Sequence, residues 1–237
     1  MKIKAILFDL DGTLLPMDQD IFIKAYIGGL VKAAAPLGYE AKELAKAIQA
    51  GTYAMVKNTG DRTNEEVFWS CMKSAYGETV ESDLAIFDEF YRTDFQKVSE
   101  VCGRNERVKK LINLAKQKGF RVALATNPLF PTIATESRIR WAGLVPSDFE
   151  FFTSFETSRH SKPNPDYYRA VLEKIGLSPE ECLMVGNDVD EDMVAKTLGM
   201  KVFLLTDCLI NRSGKDISVY PNGNTDELIS FIANLEN

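Results

Sequence analysis

Ala5-Ile6-Leu7-Phe8-Asp9-Leu10-Asp11-Gly12-Thr13-Leu14 decides the reading of this chain. Four consecutive apolar residues run into an aspartate, a second aspartate follows two positions on, and a glycine turns the chain. A continuous apolar run of this length, ended by a turn signal, predicts a strand buried on both faces. Strands of that kind belong to parallel sheets covered by helices, so further short apolar strands and the helices between them should follow.

They follow only after a gap. Between about Asp18 and Phe95 the sequence predicts helices and no strand. Ala41 to Ile48 has strong helix-forming composition. Thr63 with Glu66 predicts a capping box opening a helix that carries Val67, Phe68, Cys71 and Met72. Leu84, Phe87, Asp88 and Tyr91 continue the helical spacing. Gly28-Gly29 inside the first of these helices points to close packing.

Beyond Phe95 the pattern changes. Val108, Leu111, Ile112 and Ala115 recur at i, i+3, i+4 and i+7, predicting an amphipathic helix that stops at Gly119. Arg121 to Thr126 reads as a strand, Phe149 to Thr153 as a weaker one. Tyr167 to Ile175 predicts a helix ending at Gly176. Ser178-Pro179-Glu180-Glu181 combines an N-cap, a proline and a capping box. Cys182 to Val185 and Val202 to Leu205 read as strands, with a helix from Asp192 to Leu198 between them. Strands alternating with helices imply parallel βαβ units. The organisation is therefore an α/β core interrupted, soon after its first strand, by a helical insertion.

Bulk properties narrow the function. The 237 residues carry 28 Lys and Arg against 34 Asp and Glu, a formal net charge of −6. Such a chain suits neither nucleic acid nor an anionic membrane, both of which need clustered positive charge. The run at the N-terminus is interrupted by Asp9 and Asp11, so it is neither a signal peptide nor a membrane span. Cys71, Cys102, Cys182 and Cys208 lack redox or metal-site spacing and read as free thiols of a cytoplasmic protein. His160 is the single histidine. It cannot build a catalytic triad or a histidine-rich zinc site, and reads as a solvated loop residue. Trp69 and Trp141 read as packing residues.

In open parallel sheets, ligands bind beyond the carboxyl ends of the strands. Asp9, Thr126 and Asn187-Asp188 all follow strands at those ends, and Lys162 comes a few residues after the weak one. Singly, each has a plain explanation: Asp-x-Asp-Gly as a turn, Thr126 as a strand end, Lys162 as a solvated lysine, Asp188 to Asp192 as an acidic helix start. Together they are acids, a hydroxyl and a lysine delivered to one edge of a sheet. That set suits an anion and a hard cation; magnesium prefers oxygen ligands and keeps waters and a phosphate oxygen.

The same residues resemble the four motifs of the haloacid dehalogenase superfamily, in order and over essentially the whole core. Phe8-Asp9-Leu10-Asp11-Gly12-Thr13-Leu14 resembles the first, Ala125-Thr126-Asn127 the second, Lys162-Pro163-x-Pro165 the third, and Val185-Gly186-Asn187-Asp188 with Asp192 the fourth. The resemblance implies a Rossmann-like three-layer α/β core with a parallel sheet, over residues 1–17 and 96–237, and an all-helical cap over 18–95. It implies that Asp9 is the nucleophile, forming an aspartyl-phosphate, and that Asp11 is the general acid and base. That role needs an Asp11 pKa above that of a surface aspartate, which neighbouring carboxylates would supply. Thr126, Lys162 and backbone N–H groups near Leu10 and Asn127 would hold the phosphoryl oxygens, and Asp192 would orient Lys162 or a metal-bound water. Mg2+ would take Asp9, the Asp11 carbonyl and a ligand from the fourth motif. Many relatives have Gly-Asp where this chain has Gly186-Asn187-Asp188, so either Asp188 or Asn187 fills that place. Asp188 is preferred for its charge, which leaves Asp190 and Glu191 as exposed acids at a helix start.

Asp11 also separates reactions, because the branch that attacks carbon lacks an acid there. The implied activity is a magnesium-dependent phosphatase acting on a small phosphorylated metabolite, as monomer or homodimer. The alternatives are a phosphomutase of the same fold and a regulatory binding protein on such a core.

Overall fold

The computed structural model describes residues 2–77, 80 and 83–236. Strand β1, Ala5–Phe8, is followed by the helices of the insertion: α1 Gln19–Ala34, α2 Ala41–Val56, α3 Asn64–Tyr76 and α4 Leu84–Arg92. The first three starts are capped by side chains. Asp18 accepts from the backbone N–H groups of Asp20 and Ile21 at 3.0 Å, and Thr63 with Glu66 forms the expected capping box. Gly29 lies where a Cβ would stand 3.2 Å from the Phe90 ring, so helices α1 and α4 do pack closely there.

The core continues with α5 Arg107–Gln117, β2 Arg121–Leu124, α6 Thr132–Trp141, α7 Pro165–Ile175, β3 Cys182–Gly186, β4 Lys201–Leu205, β5 Asn222–Gly223 and α8 Thr225–Asn234. The sheet is parallel throughout, in the order β2-β1-β3-β4-β5. The winding direction reverses beside β1, between β1 and β3, which is where such sheets open a crevice.

Side chains alternate across the strands and build two apolar layers. Ile6, Phe8, Val122, Leu124, Leu183 and Val185 join α5, α6, α8 and the helical insertion on one face. Ala5, Leu7, Ala123, Met184, Val202 and Leu204 join α7 on the other. That double burial is why the strands read as uninterrupted apolar runs.

Two expectations need correction. Phe149 to Thr153 is not a strand; it lies along the outer edge of β2 with one bridge, Leu124 to Phe152, and three backbone hydrogen bonds of 2.8–3.1 Å. Its exposed Glu150 and half-buried Phe151 and Phe152 leave it an edge with no sheet beyond. The expected helix from Asp192 is a short 3-10 segment, Met193–Leu198, ended by Gly199 in the left-handed region. Two helices were not anticipated. Helix α8 carried a legible signal, the Asn224–Glu227 capping box. Helix α6 carried none, because it buries Thr135, Ser137 and Arg138 along with Ala134 and Ile139. The four cysteines are free thiols. Among the described residues no helix is long and apolar enough to cross a membrane.

Candidate active site

The end of β1 fixes the site. The Asp9 N–H donates to the Val185 carbonyl at 2.9 Å, and Ala125 N–H donates to the Phe8 carbonyl at 2.7 Å, so three strand ends are stitched together. The Leu10 carbonyl then accepts from the N–H groups of Thr13 and Leu15, which folds the next residues into a tight turn. Gly12 makes that turn with φ of 80°; a Cβ there would meet the Asn187 amide nitrogen at 2.3 Å. No other residue satisfies both the left-handed backbone and the close approach.

Lys162 is the centre of the polar cluster. Its Nζ donates to Asp9 Oδ1 at 2.8 Å and to Asp192 Oδ1 at 2.6 Å, and the residue is 1 % exposed. Burial opposes its charge, but Asp192 and Asp9 outweigh that and hold its pKa well above that of an ordinary lysine. Burial likewise pushes the Asp192 carboxyl up, against the pull of Lys162. A lysine between two buried carboxylates is thus held as an ammonium. Asp192 Oδ2 also accepts from the Asp188 N–H at 3.0 Å, tying the segment after β3 to Lys162.

The sequence left Asn187 and Asp188 open, and their partners differ. Asn187 is committed at both ends: its amide donates to the Cys208 carbonyl at 2.7 Å, and its Oδ1 lies 2.9 Å from the Thr13 hydroxyl, which is also 3.2 Å from Asp9 Oδ2. Asp188 is half-buried, and its Oδ1 accepts from the N–H groups of Asp190 and Glu191. Asn127 is a bridge: its Oδ1 accepts from the Lys162 N–H at 3.2 Å, and its amide donates to Glu191 at 2.9 Å. Thr126 is held by its carbonyl, which accepts from Thr153 and from the Tyr167 hydroxyl at 2.6 and 2.9 Å. Glu191 is therefore not an exposed acid as expected; burial pushes its pKa up to about 8. Asp190 is half-buried and paired with Lys215 at 2.6 Å.

Asp11 is turned away from this cluster. Its Oδ2 pairs with the guanidinium of Arg138, a residue that is 0 % exposed and that sequence reading missed. Arg138 also donates to the Ala134 carbonyl and the Thr135 hydroxyl, and lies 4.3 Å over the Phe130 ring. Asp11 Oδ1 is buried and has no hydrogen-bond partner among the described residues. Burial raises the Asp11 pKa, Arg138 opposes it, and Asp9 adds a smaller upward push. The elevation anticipated from sequence is present, but burial, rather than neighbouring carboxylates, is its main cause.

The insertion is pinned to the same region by buried Asn64 at the start of α3. Its amide donates to the Pro128 carbonyl and the Ser161 hydroxyl, both at 3.0 Å, and Ser161 donates to the Met55 carbonyl. His160 is not solvated: it is half-buried against Gly60 of the insertion, with a buried Nδ1.

The donor atoms at the strand ends are oxygens, from Asp9, Asp11 and Asp188. No three His, Cys, Asp or Glu side chains converge as a metal cage among the described residues. The oxygen donors suit magnesium, which is held through one or two carboxylates together with water and phosphate oxygens.

Residues 3–198 match the model of the haloacid dehalogenase-like hydrolases. The chain belongs to that family. A phosphoglycolate phosphatase of Vibrio cholerae is 30% identical over 217 residues, covering 86% of this chain and 85% of that protein. A pyrophosphatase of Bacillus velezensis is 24% identical over 200 residues, covering 84% of this chain and 82% of its own. The crystal structure of a haloacid dehalogenase phosphatase from Thermococcus onnurineus shares the fold, with a TM-score of 0.61 at 17% identity, over 97% of this chain and 98% of that one. As a haloacid dehalogenase-like enzyme, the chain falls in the family's phosphatase branch, with the parallel core and helical insertion of that fold.

Proposed function

We propose that this enzyme hydrolyses a small phosphorylated metabolite with Mg2+, through an aspartyl-phosphate on Asp9. The single observation that carries the reading is the buried Asp9–Lys162–Asp192 cluster at the switch point of the sheet. A carboxylate nucleophile splits one displacement into two. In the first, an Asp9 oxygen bonds to phosphorus, the bond to the leaving alcohol breaks, and Asp11 gives that oxygen its proton. In the second, Asp11 takes a proton from water, the water oxygen bonds to phosphorus, and the Asp9–phosphorus bond breaks. Burial raises the Asp11 pKa against the pull of Arg138, the direction that an acid role needs. Lys162, Thr126 and the backbone around Leu10 and Asn127 hold the phosphoryl oxygens as charge spreads over them. Asp192 positions Lys162.

Asp9, the Asp11 carbonyl and Asp188 would hold magnesium, which supplies charge neutralisation for the phosphoryl group. Asp188 is favoured over Asn187 because both ends of the Asn187 amide are already engaged. Residues 18–95 are the cap and residues 1–17 and 96–237 the catalytic core in this reading. The test is phosphate release from phosphorylated metabolites, with magnesium and with chelator, by the native enzyme and Asp9→Asn. Magnesium-dependent release that disappears in the variant is expected; full activity of the variant sinks the mechanism.

A further inference from the structure

Asp11 also lines a cavity of about 860 Å3 between the helical insertion and the segment that leads into α6. A pocket of that size takes a drug-sized ligand, far more than a two-carbon leaving group occupies. Its walls are mainly apolar and rich in rings, with Phe22, Tyr26, Phe68, Trp69, Phe87 and Phe130 among them. Tyr26 and Tyr91 both face it, yet their hydroxyls lie 2.8 Å apart and satisfy each other. Trp69, read from sequence as packing alone, is part of this wall.

The charge on the walls is predominantly negative. Asp11, Glu65, Asp88, Glu136 and Glu156 line the cavity, and among its described lining residues Arg92, exposed at the end of α4, is the one base. The nearest buried guanidinium, Arg138, is already engaged by Asp11. Lys162 is engaged by Asp9 and Asp192. Glu156 accepts from the Thr132 N–H and hydroxyl at 2.7–3.0 Å, which keeps its carboxylate fixed beside the opening. A second anionic group on the substrate would enter this space against carboxylates and without a buried cation to receive it, which is costly.

We infer that the substrate is a phosphomonoester whose alcohol carries a bulky aromatic body and no second anion, that body filling the cavity beside Asp11. This inference rests on the phosphatase reading above. It sets the enzyme apart from its relatives named for phosphoglycolate and pyrophosphate, whose substrates carry a second anionic group on the leaving side.

The test compares leaving groups of similar chemistry but different bodies: 2-phenylethyl and 2-(2-naphthyl)ethyl phosphate against ethyl phosphate, phosphoglycolate and pyrophosphate. The arylethyl esters are expected to exceed ethyl phosphate in kcat/KM by about 30-fold, as burial of an aromatic ring implies. Ile23→Arg, at an exposed position on the lining, should shift the ratio of phosphoglycolate to phenylethyl ester upward by about tenfold. Equal rates for ethyl and arylethyl esters, or preference for phosphoglycolate or pyrophosphate, overturn the inference and leave the phosphatase reading standing. Release from no ester overturns the phosphatase reading, and the cavity is then judged by binding alone. In Trp141→Phe protein, saturable quenching of Trp69 fluorescence by 2-(2-naphthyl)ethanol, and none by glycolate, supports the aromatic site; no quenching by the naphthyl alcohol overturns it.

Discussion

The carboxyl ends of the strands and the cavity under the insertion share Asp11 but are built from opposite materials. At the strand ends charges are paired at 2.6–2.8 Å around one lysine, and nearly every polar atom is engaged. In the cavity the walls are mainly apolar side chains, many of them aromatic, and the charges among them are predominantly carboxylates. A site that must stabilise charge moving on a phosphoryl group needs fixed dipoles and charges, because reorganising them during reaction is costly. A site that selects an alcohol needs shape and apolar area. The difference assigns chemistry to the core and selection to the helices, and each assignment can be broken separately.

The largest effect should come from the core. Asp9→Asn is expected to lower phosphate release on the order of 10^4-fold or more for every ester alike. Its melting temperature should stay close to that of the native enzyme, since Lys162 retains Asp192. Analysis of products belongs to the same experiment: free phosphate in proportion to substrate consumed supports a hydrolase, whereas phosphate kept on carbon would identify a mutase.

Arg138→Met tests the element that joins the two regions. Removing one member of a buried ion pair costs about 3–5 kcal/mol, and urea unfolding should show a loss of that order. Activity should fall for every substrate, because Asp11 loses the partner that holds it. Unchanged stability and turnover would show that the pair holds nothing.

Phe68→Leu, on the cavity side, should behave differently. A loss of about tenfold in kcat/KM is expected for arylethyl esters, with ethyl phosphate nearly unaffected. A uniform loss across substrates would erase the division between core and cavity.

The smallest effect belongs to a charge cluster remote from both. Asp148 is paired with Lys109 at 2.7 Å and Lys116 at 3.2 Å and accepts from the Val145 N–H. Burial pushes its carboxyl up, yet these partners leave it below the usual aspartate range. A depressed folded pKa adds stability above the unfolded pKa that is lost as pH falls through the folded one. Both lysines are partly exposed, so Asp148→Asn should cost only about 1 kcal/mol near pH 7. The gap between native and variant protein should close as the solution is acidified below the native Asp148 pKa, with turnover per folded molecule unchanged. A gap that widens in acid would reverse the sign assigned here.

Much of this was legible in the residues. Runs such as Ala5–Phe8 and Cys182–Val185 announced strands because both faces of a parallel sheet are covered. Thr63 and Glu66 announced a helix start because their hydrogen bonds are local. Asp9 and Lys162 were singled out because they follow runs read as strands, and Asp192 because of the resemblance to the fourth motif; the fold brings those three into contact. Asp11 was chosen with them, and its side chain turns the other way. Helix α6 was illegible because its buried face mixes Ala134 and Ile139 with Thr135, Ser137 and Arg138, so no apolar stripe marks it.

The sequence by itself therefore determined the four longer strands, most helix starts, the order of the motifs and the residues gathered at the sheet's edge. Those depend on local hydrogen bonding and on period, which a linear chain carries. Only the tertiary structure decided that Asn187 is spent on Thr13 and Cys208, that Glu191 is half-buried beside Asn127, that Arg138 reaches Asp11 across 127 positions, and that aromatic residues from the insertion and the core close one cavity. A side chain's partner in such places is fixed by which surfaces meet when the layers pack, and burial then sets its charge. Neither quantity is written in the spacing of residues along the chain.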